Sequence, residues 1–125
     1  MFRKILYPTD FSAVAGKALE YVKKLKEAGT REVVILHVIE SNELEAMVEI
    51  CMWKNEDVEK CEKEIERRME QKAREKMKKI KEELEKEGIK TKVSVRIGKP
   101  FVEIINVAKK EKTLYCNGFL WQKRG

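Results

Sequence analysis

The residues equipped for chemistry are few and far apart. Asp10 follows Pro8 and Thr9 at the end of a short apolar run, His37 is the single histidine, and Cys51, Cys61 and Cys116 are the three cysteines. No Ser-His-Asp or Cys-His arrangement of an activated nucleophile is visible. His37 lies inside the apolar run Val33–Ile39 with no partner His, Cys or Asp at motif spacing. It reads as a hydrogen-bonded core histidine rather than a ligand or a base. The cysteines are odd in number and form no C-x-x-C. That argues against a disulfide framework and against a zinc site, so no metal is expected. Cys61 falls on the apolar stripe of a long helix and reads as a small core residue. Asp10 taken alone reads as part of a helix start in which Ser12 is the N-cap.

These residues need elements to position them. Arg3 to Tyr7 is an apolar run stopped by Pro8, which predicts an N-terminal strand. Ala15, Ala18, Leu19, Val22 and Leu25 follow Ser12 at helical spacing, and Gly29 stands where a helix C′ residue belongs. A helix over residues 12–28 follows. Val33 to Ile39 is apolar on both faces, the pattern of a strand covered on two sides in a parallel sheet. Residues 42–54 are assigned a shorter helix or a hinge. Val58, Cys61, Ile65, Met69, Ala73, Met77, Ile80 and Leu84 then form one stripe of a long amphipathic helix ended by Gly88. This stripe is packing, and the Glu, Lys and Arg faces around it are solvated.

Thr91 to Ile97 alternates Val93, Val95 and Ile97 with Lys92, Ser94 and Arg96, which suits an edge strand with one wet face. Gly98-Lys99-Pro100 is a turn into a helix with proline in its first turn, and Ile104, Ile105 and Ala108 give that helix its buried side. Leu114-Tyr115-Cys116 supplies a fourth strand. The order β-α-β-α-β-α-β with right-handed crossovers predicts an α/β fold, a parallel sheet with helices on both faces.

Length and charge narrow the function classes. The 125 residues fit one domain, and 40% of them are charged. No run approaches the ~18 apolar residues of a membrane span. Residues 1–10 lack the apolar core of a signal peptide, so the expected compartment is cytoplasmic. The formal charge of +6 divides unevenly: residues 41–87 hold 15 acids and 12 bases, and the remainder is strongly basic. Those bases are scattered, without interleaved aromatic residues, so nucleic-acid binding is not expected.

The segment Ile5-Leu6-Tyr7-Pro8-Thr9-Asp10-Phe11-Ser12 resembles the opening of the universal stress protein family. So do Leu36-His37-Val38-Ile39, the long Lys/Glu helix, and the Gly98-x-Pro100 turn with Val102-Glu103-Ile104-Ile105 behind it. Four separated segments match in order, over about residues 2–112. The resemblance implies a Rossmann-like sheet of five parallel strands, ATP bound at the carboxyl ends of the strands in many members, and homodimers in many. It places Pro8, Thr9 and Asp10 along an adenosine pocket with Val38 against the adenine. Chemistry agrees: ligands of open α/β sheets bind in the crevice outside the strand C-termini. A carboxylate there accepts hydrogen bonds from an amino group or a hydroxyl, and a valine offers an apolar wall. Gly98, at the end of the third strand, permits close approach of a ligand.

The chain departs from the family after its fourth strand. ATP-binding members carry a Gly-x-x-Gly loop there, followed about nine residues on by Gly-Ser or Gly-Thr, whose backbone N–H groups hold phosphates. Gly118 falls where the first glycine belongs, and Trp121 stands where the second should be. The third glycine, the last helix and the fifth strand are expected to be missing. Residues 1–112 are therefore assigned to the α/β domain and 113–125 to an aberrant tail. Decoded one nucleotide later, Tyr115 onward permits Ile-Val-Met-Gly-Ser-x-Gly-Lys-Arg-Gly, and the glycine at Trp121 is forced, because TGG followed by C gives GGC. A frameshift near Lys112–Leu114 is the expectation. The expected function is a stress-linked binding module with an adenosine half-site, weakened ATP binding and no efficient catalysis. It is expected to form a homo-oligomer. The rival expectation is a protein-interaction module acting through the long helix or an oligomer interface.

Overall fold

The computed structural model describes residues 3–54, 57–111, 114–116 and 121–123, the last two segments by their backbone. Strand β1 (Lys4–Pro8) opens the chain with Ile5, Leu6 and Tyr7 buried. Ser12 then caps helix α1 (Ala13–Lys24), its hydroxyl accepting from the Ala15 N–H at 3.2 Å. Ala15, Ala18, Leu19 and Val22 form the buried stripe that the spacing predicts. The helix closes earlier than residue 28. From Leu25 on, N–H groups reach back three residues, as in Lys26 to Lys23 and Gly29 to Lys26, so the chain tightens into turns. Gly29 ends them at a φ of 105°, a conformation open to glycine.

Strand β2 (Glu32–Glu40) lies at the sheet's interior with Val33, Val34, Ile35 and Leu36 fully buried. Its two faces serve two cores. Val33 and Ile35 join Ile5, Tyr7, Leu19, Val22, Met77, Leu84 and Ile89 beneath α1 and the long helix. Val34 and Leu36 join Leu6, Val107 and Ala108 on the other face. That two-sided cover is why the run is apolar throughout.

Helix α2 (Ser41–Trp53) and helix α3 (Val58–Lys86) follow. Asp57 caps α3 by accepting from the Lys60 N–H, and Gly88 ends the turn after it at a φ of 82°. Of the predicted stripe, Ala73, Met77 and Leu84 are buried, and Val58, in the first turn, is exposed. Cys51 and Cys61 form a disulfide joining α2 to α3, with Cα atoms 6.0 Å apart. This corrects the expectation of unpaired cysteines. The pairing arises because α2 and α3 fold back on each other, which no C-x-x-C count registers.

Strand β3 (Lys90–Gly98) pairs in parallel with β2 from Glu32↔Lys90 to Glu40↔Gly98 and is an edge strand, as its alternation predicts. Helix α4 (Pro100–Glu111) begins on its proline, and Val107 and Ala108 are its fully buried residues, with Ile104 and Ile105 only half-buried. Strand β4 (Leu114–Cys116) pairs in parallel with β1. Strand β5 (Trp121–Lys123) is present and pairs with β4 antiparallel, giving the order β3-β2-β1-β4-β5. Among the described residues the parallel fifth strand of the family is absent, as expected, and a short antiparallel strand pairs with β4 instead. A chain that returns after four residues can pair only antiparallel, since a parallel return needs a crossover.

Glu111 anchors the end of α4. Its carboxylate accepts from Lys4 Nζ at 2.7 Å and Lys92 Nζ at 2.9 Å, tying α4 to β1 and β3. No helix among the described residues is long and apolar enough to cross a membrane.

Candidate functional site

The carboxyl ends of β1 and β2 open into a cleft of about 1090 Å³. β1 ends at Pro8, and the next residue returns to the sheet: the Thr9 N–H donates to the Leu36 carbonyl at 2.8 Å. The Thr9 hydroxyl accepts from the Phe11 N–H at 3.0 Å, and Asp10 Oδ1 accepts from the Ser12 N–H at 2.9 Å. These side chain to backbone bonds fold residues 9–12 into a tight link between strand and helix. Phe11 adopts a φ of 66°, the left-handed region that bulky L residues rarely occupy. Strain of that kind persists where the surroundings over-determine the backbone, and it concentrates at functional sites.

The strained turn aims three groups. Asp10 is exposed, and hydrogen bonds from Ser12, its hydroxyl first and then its amide, hold the Asp10 carboxyl below its usual value. It is an anion with acceptor capacity left over. The Phe11 ring lies 4.6 Å from the His37 ring, centroid to centroid. His37 Nδ1 lies 2.8 Å from the Thr9 carbonyl. A carbonyl only accepts, so Nδ1 carries a hydrogen, and in the neutral ring Nε2 is left as an acceptor. His37 is thus hydrogen-bonded as expected, but it forms part of the cleft wall.

Val38 is half-buried, packs on the Leu6, Val34 and Leu36 core, and lines the cleft. Pro8, Thr9, Asp10 and Val38 therefore converge on one place. Gly98 does not join them. It ends edge strand β3 beside Glu40, and what approaches it closely is Glu103: a Cβ there would stand 3.0 Å from Glu103 Oε2. Gly118 lies outside the described residues. The far wall of the cleft is α3, through Arg68, Met69, Lys72, Ala73 and Lys76, and α2 adds Glu43 and Met47. Lys76 Nζ stands 5.1 Å above the Phe11 ring centroid. Neither Phe11 nor the α3 cations were expected at the site. Their one signal in the sequence is the four-residue spacing of Arg68, Lys72 and Lys76, which puts them on one helix face.

The family description that matches this chain is the Universal stress protein family, over residues 1–113. The chain belongs to the universal stress protein family. It is 39% identical over 116 residues to Universal stress protein MJ0577 of Methanocaldococcus jannaschii, covering 89% of this chain and 72% of that one. The solved structure of MJ0577 superposes with a TM-score of 0.75 over 90% of this chain and 71% of that chain. The crystal structure of the hypothetical protein PH0823 is 32% identical, with a TM-score of 0.67 over 90% of this chain and 74% of that chain. Universal stress protein UspA from Lactobacillus plantarum shares the fold at 16% identity, with a TM-score of 0.64 over 88% of this chain and 70% of its own. Two of the segments that carry the resemblance, Ile5 to Ser12 and Leu36 to Ile39, supply the strand ends and the turn that line the cleft.

Proposed function

We propose that this universal stress protein is a stress-linked binding module that takes the adenosine part of an adenine nucleotide in the cleft at the ends of β1 and β2. The observation that carries the reading is the convergence of Pro8, Thr9, Asp10 and Val38 on that cleft, with Asp10 held as an anion. Val38 and Pro8 supply apolar surface for a flat base. Asp10 accepts from an exocyclic amino group or a ribose hydroxyl, and the volume is of the size of ligand pockets. With Trp121 in place of the second loop glycine, the backbone cradle for phosphates is lost in this reading. The assigned activity is binding, not turnover, with ATP as a weakened ligand.

Calorimetric titration of adenosine and AMP into the whole chain tests it. Binding is expected, and Asp10→Ala weakens it by about tenfold or more, the worth of a charged hydrogen bond. No heat of binding from a chain shown to be folded by circular dichroism overturns the reading.

A second reading has its own observation. Helix α2 exposes Ile50 at 51%, Met52 at 65% and Trp53 at 82%, an apolar surface suited to a homo-oligomer or another protein. Light scattering on the native chain and on Trp53→Glu tests the homo-oligomer: assembly lost in the variant supports it, and a monomer at all concentrations removes self-association from this reading.

A further inference from the structure

Three basic side chains of α3 line the cleft at four-residue intervals, Arg68, Lys72 and Lys76. Arg68 is matched by Glu64, with Nε 2.9 Å from its Oε1. Among the described residues, Lys72 and Lys76 carry no salt bridge. Their neighbours one turn away explain this. Lys72 has Arg68 and Lys76 four residues to either side, and Glu75, three residues on, forms no salt bridge with it; Lys76 has Lys72 and Ile80. Like charges at that spacing repel, so the row lacks the intrahelical partners that Lys63, Arg67 and Arg74 find in Glu59, Glu64 and Glu70. Lys78 and Lys79, also unpaired, are exposed and stand outside the cleft.

The cleft is not uniformly cationic. Glu40 and Glu43 line it from β2 and α2, and Asp10 from the β1–α1 turn. Met47 of α2 and Arg68 also border a smaller neighbouring cleft with Cys51 and Cys61, which puts Arg68 at the α2 end of the row. Lys76 is at the opposite end, held over the Phe11 ring at 5.1 Å. That contact sets an ammonium over the Phe11 ring, on the β1–α1 side of the cleft, before any ligand arrives. One helical turn separates Lys72 from Lys76, about 6 Å of rise, which matches the reach of a polyphosphate.

We propose that Lys72 and Lys76 of helix α3 form a phosphate-binding row that holds the phosphate tail of a nucleotide whose adenosine lies against Asp10 and Val38. The inference rests on the adenosine reading above and adds a side-chain site for the phosphates in place of the backbone loop. The phosphates neutralise a row that is otherwise self-repelling. Lysine is suited to this task as a compact point charge.

The experiment compares adenosine, ATP and sodium tripolyphosphate by calorimetry, in EDTA at low salt, on the native chain, on Lys72→Gln/Lys76→Gln and on Lys72→Arg/Lys76→Arg. ATP is expected to bind the native chain about tenfold tighter than adenosine, with the advantage shrinking in 1 M salt. The glutamine pair brings ATP to within about twofold of adenosine measured on the same variant, and the arginine pair keeps the advantage. Both lysines are exposed, so the variants leave the core intact. An ATP advantage that survives in the glutamine pair overturns the row and leaves the adenosine reading standing. Silence from adenosine with tripolyphosphate binding that is lost in the glutamine pair overturns the adenosine reading and supports the row.

Discussion

Reducing the Cys51–Cys61 bond lowers the stability of the chain by an amount that follows from its loop. The two cysteines are ten residues apart in sequence, and Cys51 is 1% exposed. Closing a loop of that length in the unfolded chain removes entropy worth about 2.7 kcal/mol at 25 °C. An unfolding entropy of about 2.1 cal/mol/K per residue over 125 residues is about 0.26 kcal/mol/K, so Tm falls by about 10 °C. The loss concentrates at the α2–α3 seam, where Met47 and Arg68 also border the cleft at the ends of β1 and β2. The assay is thermal unfolding by circular dichroism with and without dithiothreitol, beside the Cys51→Ala/Cys61→Ala chain. Alkylation of the denatured, unreduced chain followed by intact mass gives the thiol count. One alkyl group, on Cys116, is expected. Three alkyl groups would show that the bond is not formed. A bonded chain whose Tm moves by less than about 2 °C on reduction would refute the loop-entropy reasoning itself.

Three further outcomes are expected. Lys4 and Lys92 hold the Glu111 carboxyl down to about 2, so its contribution is present above the ordinary value of 4.5 and lost as pH falls toward 2. Urea titrations from pH 6 to 2 on the native chain and on Glu111→Gln check this; the variant loses about 1–3 kcal/mol at pH 6, discounted because water reaches Lys92, and a parallel decline in both chains sinks the assignment. Met77→Ala empties a fully buried position where α3 meets the sheet and costs about 2–5 kcal/mol in urea unfolding. An unchanged midpoint would mean that α3 does not seal that core. Finally, the coding DNA is expected to decode from Tyr115 onward, one nucleotide later, as Ile-Val-Met-Gly-Ser-x-Gly; codons that forbid this string end the frameshift expectation.

Local chemistry by itself determined most of the framework. Periodicity told which face of each element is apolar: the unbroken run of β2 announced burial on two sides, the alternation of β3 an edge, and the α3 stripe one packed face. Ser12, Gly29 and Gly88 marked boundaries because capping and positive φ are local demands. The motif around Asp10 and the Leu36-His37-Val38-Ile39 strand end led to the family and to one wall of the candidate cleft. Tertiary structure decided what a face meets. Cys51 and Cys61 are on different helices, and only the fold-back of α2 on α3 makes them neighbours. Gly98 matched a motif, yet its strand lies at the sheet edge, so Glu103 rather than the cleft is what comes close. Lys72 and Lys76 look like any solvated helix face until the fold sets them in one cleft with the β1–α1 turn, whose Phe11 ring lies under Lys76. Spacing along a chain reports orientation about one axis, whereas a site is set by the distance between elements, and that distance is fixed by the shared core beneath them.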